Sequence, residues 1–226
     1  GAGMGKTHLL VSSMARHNIK LGKDWLFGRC QTSPIIFYQM LWSMRKAGQF
    51  VVVDDCDALL RDEDGINLLK GAMDTKYRTV AWNTKSNVKA LDGSIIPKSF
   101  EFHGSVIVCT NISYGDKQTT KMSQHFSAIR SRTREHIMDY SDKDDQYAYI
   151  AHLVLDLCYL DHDPDTKLTH QQKVDMLRYI MANRSLFHRL DARYPDTIAR
   201  LMVARPGNWE AHARRGIVAL NNTKSK

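Results

Sequence analysis

Gly1-Ala2-Gly3-Met4-Gly5-Lys6-Thr7 opens the chain. Gly5, Lys6 and Thr7 fill the last three places of the phosphate-loop pattern G-x-x-x-x-G-K-[ST], whose first glycine falls one residue before Gly1. A buried strand normally precedes such a loop, so that first strand is expected to be missing from residues 1–226. Gly1, Gly3 and Gly5 let the backbone turn tightly and aim its N–H groups at phosphate oxygens. Lys6 supplies a mobile point charge for β- and γ-phosphates, and the Thr7 hydroxyl suits a Mg²⁺ ligand. Leu9, Leu10, Ser13 and Met14 recur at helical spacing and predict a helix from His8 to about Lys20. Its N-terminus would face the phosphates, where orphan N–H groups and the helix dipole favour an anion. A glycine-rich loop before an ordinary helix has the same local spelling.

Phe50-Val51-Val52-Val53-Asp54-Asp55 is the second decisive stretch. A short β-branched apolar run fits a strand buried on both faces of a parallel sheet. Its two carboxylates fall at the C-terminal end, where such sheets place their ligand crevice. Asp54 is expected to hold Mg²⁺, directly or through water, and Asp55 to polarise an attacking water. A strand running into a helix that starts at Asp57 explains the same acids structurally. Ser105 to Thr110 is a further apolar strand ended by Asn111, whose amide suits orienting that water or, equally, making a turn.

This order resembles the AAA+ ATPases: Walker A, Walker B with paired acids, then a sensor-1 polar residue closing the next strand. The resemblance covers residues 1–140 well and the rest more loosely. Walker B is Asp54-Asp55 where that family more often has Asp-Glu, which brings superfamily 3 helicases and viral ATPases into view. Phe126-Ser-Ala-Ile-Arg130-Ser-Arg132-Thr-Arg134 is similar to the family segment that lends an arginine finger to a neighbouring subunit. Arg132 matches best and Arg130 second. Arg184, or else Arg189, falls where a sensor-2 arginine on a helical lid is expected.

The composition agrees with this class. The chain has 226 residues, 43% hydrophobic and 25% charged, which is ordinary for a globular protein. No apolar run approaches a membrane span and no signal peptide is visible. The four cysteines, at 30, 56, 109 and 158, lack Cys-x-x-Cys spacing and read as reduced thiols in a cytoplasmic setting. Ten histidines are scattered without ligand spacing. Asp161-His162-Asp163-Pro164-Asp165 starts like a calcium loop but lacks the central glycine, and Gln172 stands where the twelfth-place acid belongs. Magnesium brought with ATP is the expected metal.

Elsewhere the apolar periods place helices at 34–47, opened by Ser33 and Pro34, and at 64–74. Residues 78–84 and 99–103 flank a polar stretch with an Asp92-Gly93 turn, and read as a hairpin inserted ahead of sensor 1. Beyond Asp142 the pattern is helical, at 145–160, 169–182, 184–204 with a break at Pro195, and 208–220.

The net charge of +8 suits a nucleic-acid partner. Arg78 and Lys85 flank Trp82, which either stacks on a base or packs in the core. A hairpin at this position is similar to the one superfamily 3 helicases point into their central pore.

The expectation is therefore an α/β P-loop NTPase of AAA+ type. A parallel sheet flanked by helices spans residues 1–141, and a C-terminal helical lid spans 142–226. The resemblance implies ATP hydrolysis with Mg²⁺ by a homo-oligomeric ring or filament. It implies action on DNA in replication, helicase loading or genome handling, without a membrane, in the cytoplasm (the host's if viral). A replication or packaging protein would be its partner. A protein-remodelling or adaptor ATPase and a small-molecule P-loop kinase stay open.

Overall fold

A computed structural model describes residues 5–29, 31–111, 120–138, 142–187 and 190–223 of the protein. Gly1, Gly3 and Arg189 lie outside the described residues. The chain divides into two compact units, residues 13–136 and residues 1–12 with 137–226.

The first unit is mixed α/β. Strands β1 (Trp25–Arg29), β2 (Phe50–Asp54) and β7 (Ser105–Cys109) form a parallel sheet in the order β1-β2-β7. The central strand carries the continuous valine run, and Val51, Val52 and Val53 are fully buried, as a strand covered on both faces requires. Helix α2 (Pro34–Ser43) starts where Ser33 accepts a bond from the Ile36 N–H and Pro34 needs no N–H partner. Gly48, at φ 82, turns the chain into β2. Past β2 come α3 (Asp57–Arg61) and α4 (Glu63–Ala72), the latter capped by the Asp62 carboxylate. Phe37, Tyr38 and Leu41 of α2, Val51 and Val53 of β2, and Ile66 and Leu69 of α4 share one core.

The expected hairpin is present and has two tiers. Strand β3 (Thr79–Ala81) pairs antiparallel with β6 (Ser99–Glu101), and inside it β4 (Val88–Lys89) pairs with β5 (Ile95–Ile96). Val80, Val88, Ala90, Ile96 and Phe100 turn one face of both tiers into the core. Tyr38 OH donates to the Pro97 carbonyl and Gln39 Nε2 to the Lys89 carbonyl, both at 2.6 Å, fastening the inner tier to α2. Helix α5 (Thr120–Arg130) follows β7.

The second unit is helical. Besides the first turns of α1 (Lys6–Arg16), it holds α6 (Lys143–Leu155), α7 (His170–Ala182), α8 (Arg193–Ala204) and α9 (Trp209–Thr223). Asp142 caps α6, and Thr169 with Gln172 forms a capping box on α7. Ile150, Val154, Met176, Ile180, Phe187 and Ile198 meet in its core. Several helix boundaries differ from the sequence reading: the helix expected to reach about Lys20 ends at Arg16, and the one expected at 34–47 ends at Ser43. The helix expected at 184–204 is a single 3-10 turn, Arg184–Leu186, followed by α8, so the break comes before Pro195. Pro195 sits in the first turn of α8, where an N–H has no helical acceptor to lose. The helix expected to reach residue 160 ends at Leu155, and Cys158 takes a left-handed φ of 53. Among the described residues no helix is long and apolar enough to cross a membrane.

Candidate functional site

The parallel strands end together. Their register aligns Arg29 with Asp54 and Asp54 with Cys109, so the chain emerges from β2 and β7 side by side. Asp54 is 6% exposed. The next residue, Asp55, is exposed and takes φ 51, the left-handed region that aspartate tolerates better than most side chains. Two bonds hold it there. Its N–H donates to the Cys109 carbonyl at 3.0 Å, and its Oδ1 accepts from Asn111 Nδ2 at 2.8 Å. The two strand ends are thus joined through the carboxylate and the amide that the sequence singles out.

Three further groups brace this rim without any signal in the sequence. Thr110 Oγ1 donates to Asp57 Oδ1 at 3.1 Å, fixing the first residue of α3 to the end of β7. The Cys56 thiol, 1% exposed, donates to Thr32 Oγ1 at 3.4 Å and lies as close to the Asp54 carbonyl. These pairs are 53 and 24 residues apart in the chain, so no local pattern encodes them.

The loop end belongs to the other unit. Gly5 has φ 70, and its carbonyl accepts from the Leu9 N–H at 2.9 Å, so it turns the chain into α1. A Cβ at Gly5 would come within 3.3 Å of Leu153 Cδ1 as well as being strained. Lys6 and Thr7 are the first residues of α1, and both are half-buried. His8 Nε2 is 3.1 Å from Ser12 Oγ and 3.5 Å from the Leu157 carbonyl, with its ring edge-on to Tyr159. Burial lowers its pKa from 6.5; His162 adds to this and the Leu157 carbonyl opposes it. Leu9 packs with Leu153, Leu157 and Ala192, which anchors this turn within its own unit.

Among the described residues, the candidate arginines Arg130, Arg132 and Arg184 each have a partner within their own unit. Arg130 donates from Nε and Nη2 to Glu135 Oε2, at 3.1 and 2.7 Å. Arg132 Nη1 donates to the Ala128 carbonyl at 2.6 Å, and its Nε lies 3.8 Å from Asp74. Arg184 Nη1 donates to Asp144 Oδ1 at 3.0 Å, beside the N-terminus of α6.

The three hairpin residues are placed differently from one another. Lys85 is exposed. Trp82 is half-buried, packed on the core, with its ring centroid 6.0 Å from that of Tyr38. Arg78 Nε donates to the Ala72 carbonyl at 2.9 Å and Nη2 to the Gly104 carbonyl at 2.6 Å, with Phe102 under the guanidinium. That bracing makes a stability prediction. Arg78→Met removes two charge-assisted bonds and leaves two carbonyls unmatched, and should cost about 2–3 kcal/mol in a urea melt. Unchanged stability with weakened DNA binding would instead assign Arg78 to nucleic acid.

Chemically, the rim offers one buried carboxylate, one exposed carboxylate and an amide fixed to it. Among the described residues no three acidic, histidine or cysteine side chains converge as a metal site. Mg²⁺ commonly takes only one or two carboxylates, completing its shell with phosphates and water, so Asp54 and Asp55 suit an ion that arrives with a nucleotide. No protein-family model matches the sequence, and no curated protein matches it.

Proposed function

We propose that the chain is a P-loop ATPase of AAA+ type that hydrolyses ATP with Mg²⁺ as a homo-oligomer acting on DNA in the cytoplasm. The observation that carries this reading is the Asp55–Asn111 hydrogen bond across the ends of two parallel strands, beside buried Asp54. Asp54 and Thr7 are the groups for the metal, and Lys6 with the loop N–H groups for the phosphates. Asp55 takes the proton side of the attack, and Asn111 keeps its carboxylate aimed. Arg132, or Arg130, is the finger offered to a neighbouring subunit, and Arg184 is the sensor on the helical lid, residues 142–226.

The test is ATP turnover by the protein with and without added DNA. DNA should raise the rate, and Lys6→Ala should abolish it in both conditions. Turnover that ignores DNA but rises with a protein substrate would point to a remodelling ATPase. Turnover that survives Lys6→Ala would overturn the nucleotide site itself.

A further inference from the structure

Two exposed apolar residues flank the polar turn at the tip of the hairpin, where the surroundings are basic. Leu91 and Ile95 flank the Asp92-Gly93-Ser94 turn and are 61% and 60% exposed. The turn is rigidly built: Ala90 N–H donates to the Ser94 carbonyl at 2.7 Å, Gly93 N–H to the Ala90 carbonyl at 2.9 Å, and Gly93 has φ 85. The opposite face of the same tier, Val88, Ala90 and Ile96, is buried, and two bonds to α2 hold the tier down. Two aliphatic side chains are thereby fixed outward on a stiff turn.

The charge around them has one sign. Residues 82–98 contain Lys85, Lys89 and Lys98 against a single acid, Asp92. Asp92 Oδ1 already accepts from the Ser94 N–H at 3.0 Å and Oγ at 2.6 Å. Lys89 sits directly across the ladder from Ile95, and all three lysines are exposed. A protein partner fits this surface poorly. Lysine is depleted at protein interfaces, and two side chains fall far short of the area a stable one buries. Apolar wedges beside cationic groups suit a stacked, phosphate-flanked polymer.

We propose that the hairpin tip is a wedge for DNA. Leu91 and Ile95 enter a base step and unstack it, while Lys85, Lys89 and Lys98 hold the adjoining phosphates. This rests on the DNA part of the proposed function and is independent of the nucleotide site, so the experiment omits ATP. A forked duplex with 2-aminopurine at its junction reports unstacking by emission, and anisotropy on the same sample reports binding. The wild-type protein should raise the emission on binding.

L91S/I95S should bind with the same salt slope and lose the rise, and L91M/I95M should restore it. K85Q/K89Q/K98Q should lower the log–log salt slope by about two to three, at about 0.9 per phosphate. Salt-sensitive binding with no emission change in wild type overturns the wedge and leaves the DNA reading standing. Absence of any DNA binding overturns both. Full emission with L91S/I95S, together with loss of self-association in sedimentation, would show that a second copy covers the tip and would also overturn the wedge.

Discussion

Asp55→Asn protein should bind ATP as the wild type does and hydrolyse it about 10²–10⁴-fold more slowly, the usual range for loss of a positioned acid–base group. The substitution is close to isosteric. Asparagine tolerates the left-handed φ of 51 as aspartate does, and the backbone bond to the Cys109 carbonyl is untouched. Its amide oxygen can still accept from Asn111 Nδ2 once the new NH₂ points away. A loss of rate is therefore chemical and not a collapse of the rim. Asp55→Ala is the contrasting variant, because it also gives up the Asn111 bond and strains the backbone by about 1–2 kcal/mol. Titration with a fluorescent ATP analogue, beside phosphate release, separates the two quantities. Equal loss of binding and turnover in Asp55→Asn would make Asp55 a ligand for the nucleotide's metal and not the base.

Arg132→Ala should reduce turnover by about 10³–10⁵-fold, as removal of an arginine finger does. Within its own chain Arg132 is held by the Ala128 carbonyl and a loose pair with Asp74. Reaching a neighbour's phosphate exchanges one partly exposed cation contact for another, a small cost for surface ion pairs. Mixing Arg132→Ala with Asp55→Asn subunits should restore part of the activity. Head-to-tail assembly makes roughly a quarter of the interfaces combine an intact base with an intact finger. Arg130→Ala is the comparison, since it breaks the Glu135 pair while leaving Arg132 in place. Turnover strictly proportional to protein concentration, with no rescue in the mixture, would remove Arg132 from the site. Rescue of Arg130→Ala but not Arg132→Ala would exchange their roles.

The parts of the fold legible in the sequence are those whose burial writes a local pattern. Val51–Val53 and Val106–Val108 are apolar runs long enough to announce strands of a parallel sheet. Ser33-Pro34 marks a helix start because its capping is satisfied within three residues, whereas the Asp62 cap and the Thr169–Gln172 capping box emerged only in the structure. The Asp92-Gly93 turn announces the hairpin for the same reason. Strand β1 was not anticipated: Trp25-Leu26-Phe27 is a run of only three apolar residues before Gly28, and its pairing partner β2 is 25 residues away by register.

By itself, then, the sequence determined strands β2 and β7, the outer tier of the hairpin and most of the helices, but not β1. It also determined which polar residues stand at strand ends: Asp54, Asp55 and Asn111. Only the tertiary structure decided what those residues touch. The Asp55–Asn111 and Thr110–Asp57 bonds follow from the β2–β7 register, which matches Asp54 to Cys109 across more than fifty residues of chain. It also decided that Arg78, spelled like its basic neighbours, braces the Ala72 and Gly104 carbonyls, whereas Lys85 stays exposed. Composition sets how much charge a segment carries, but a guanidinium's partners are set by which carbonyls the fold brings within 3 Å of it.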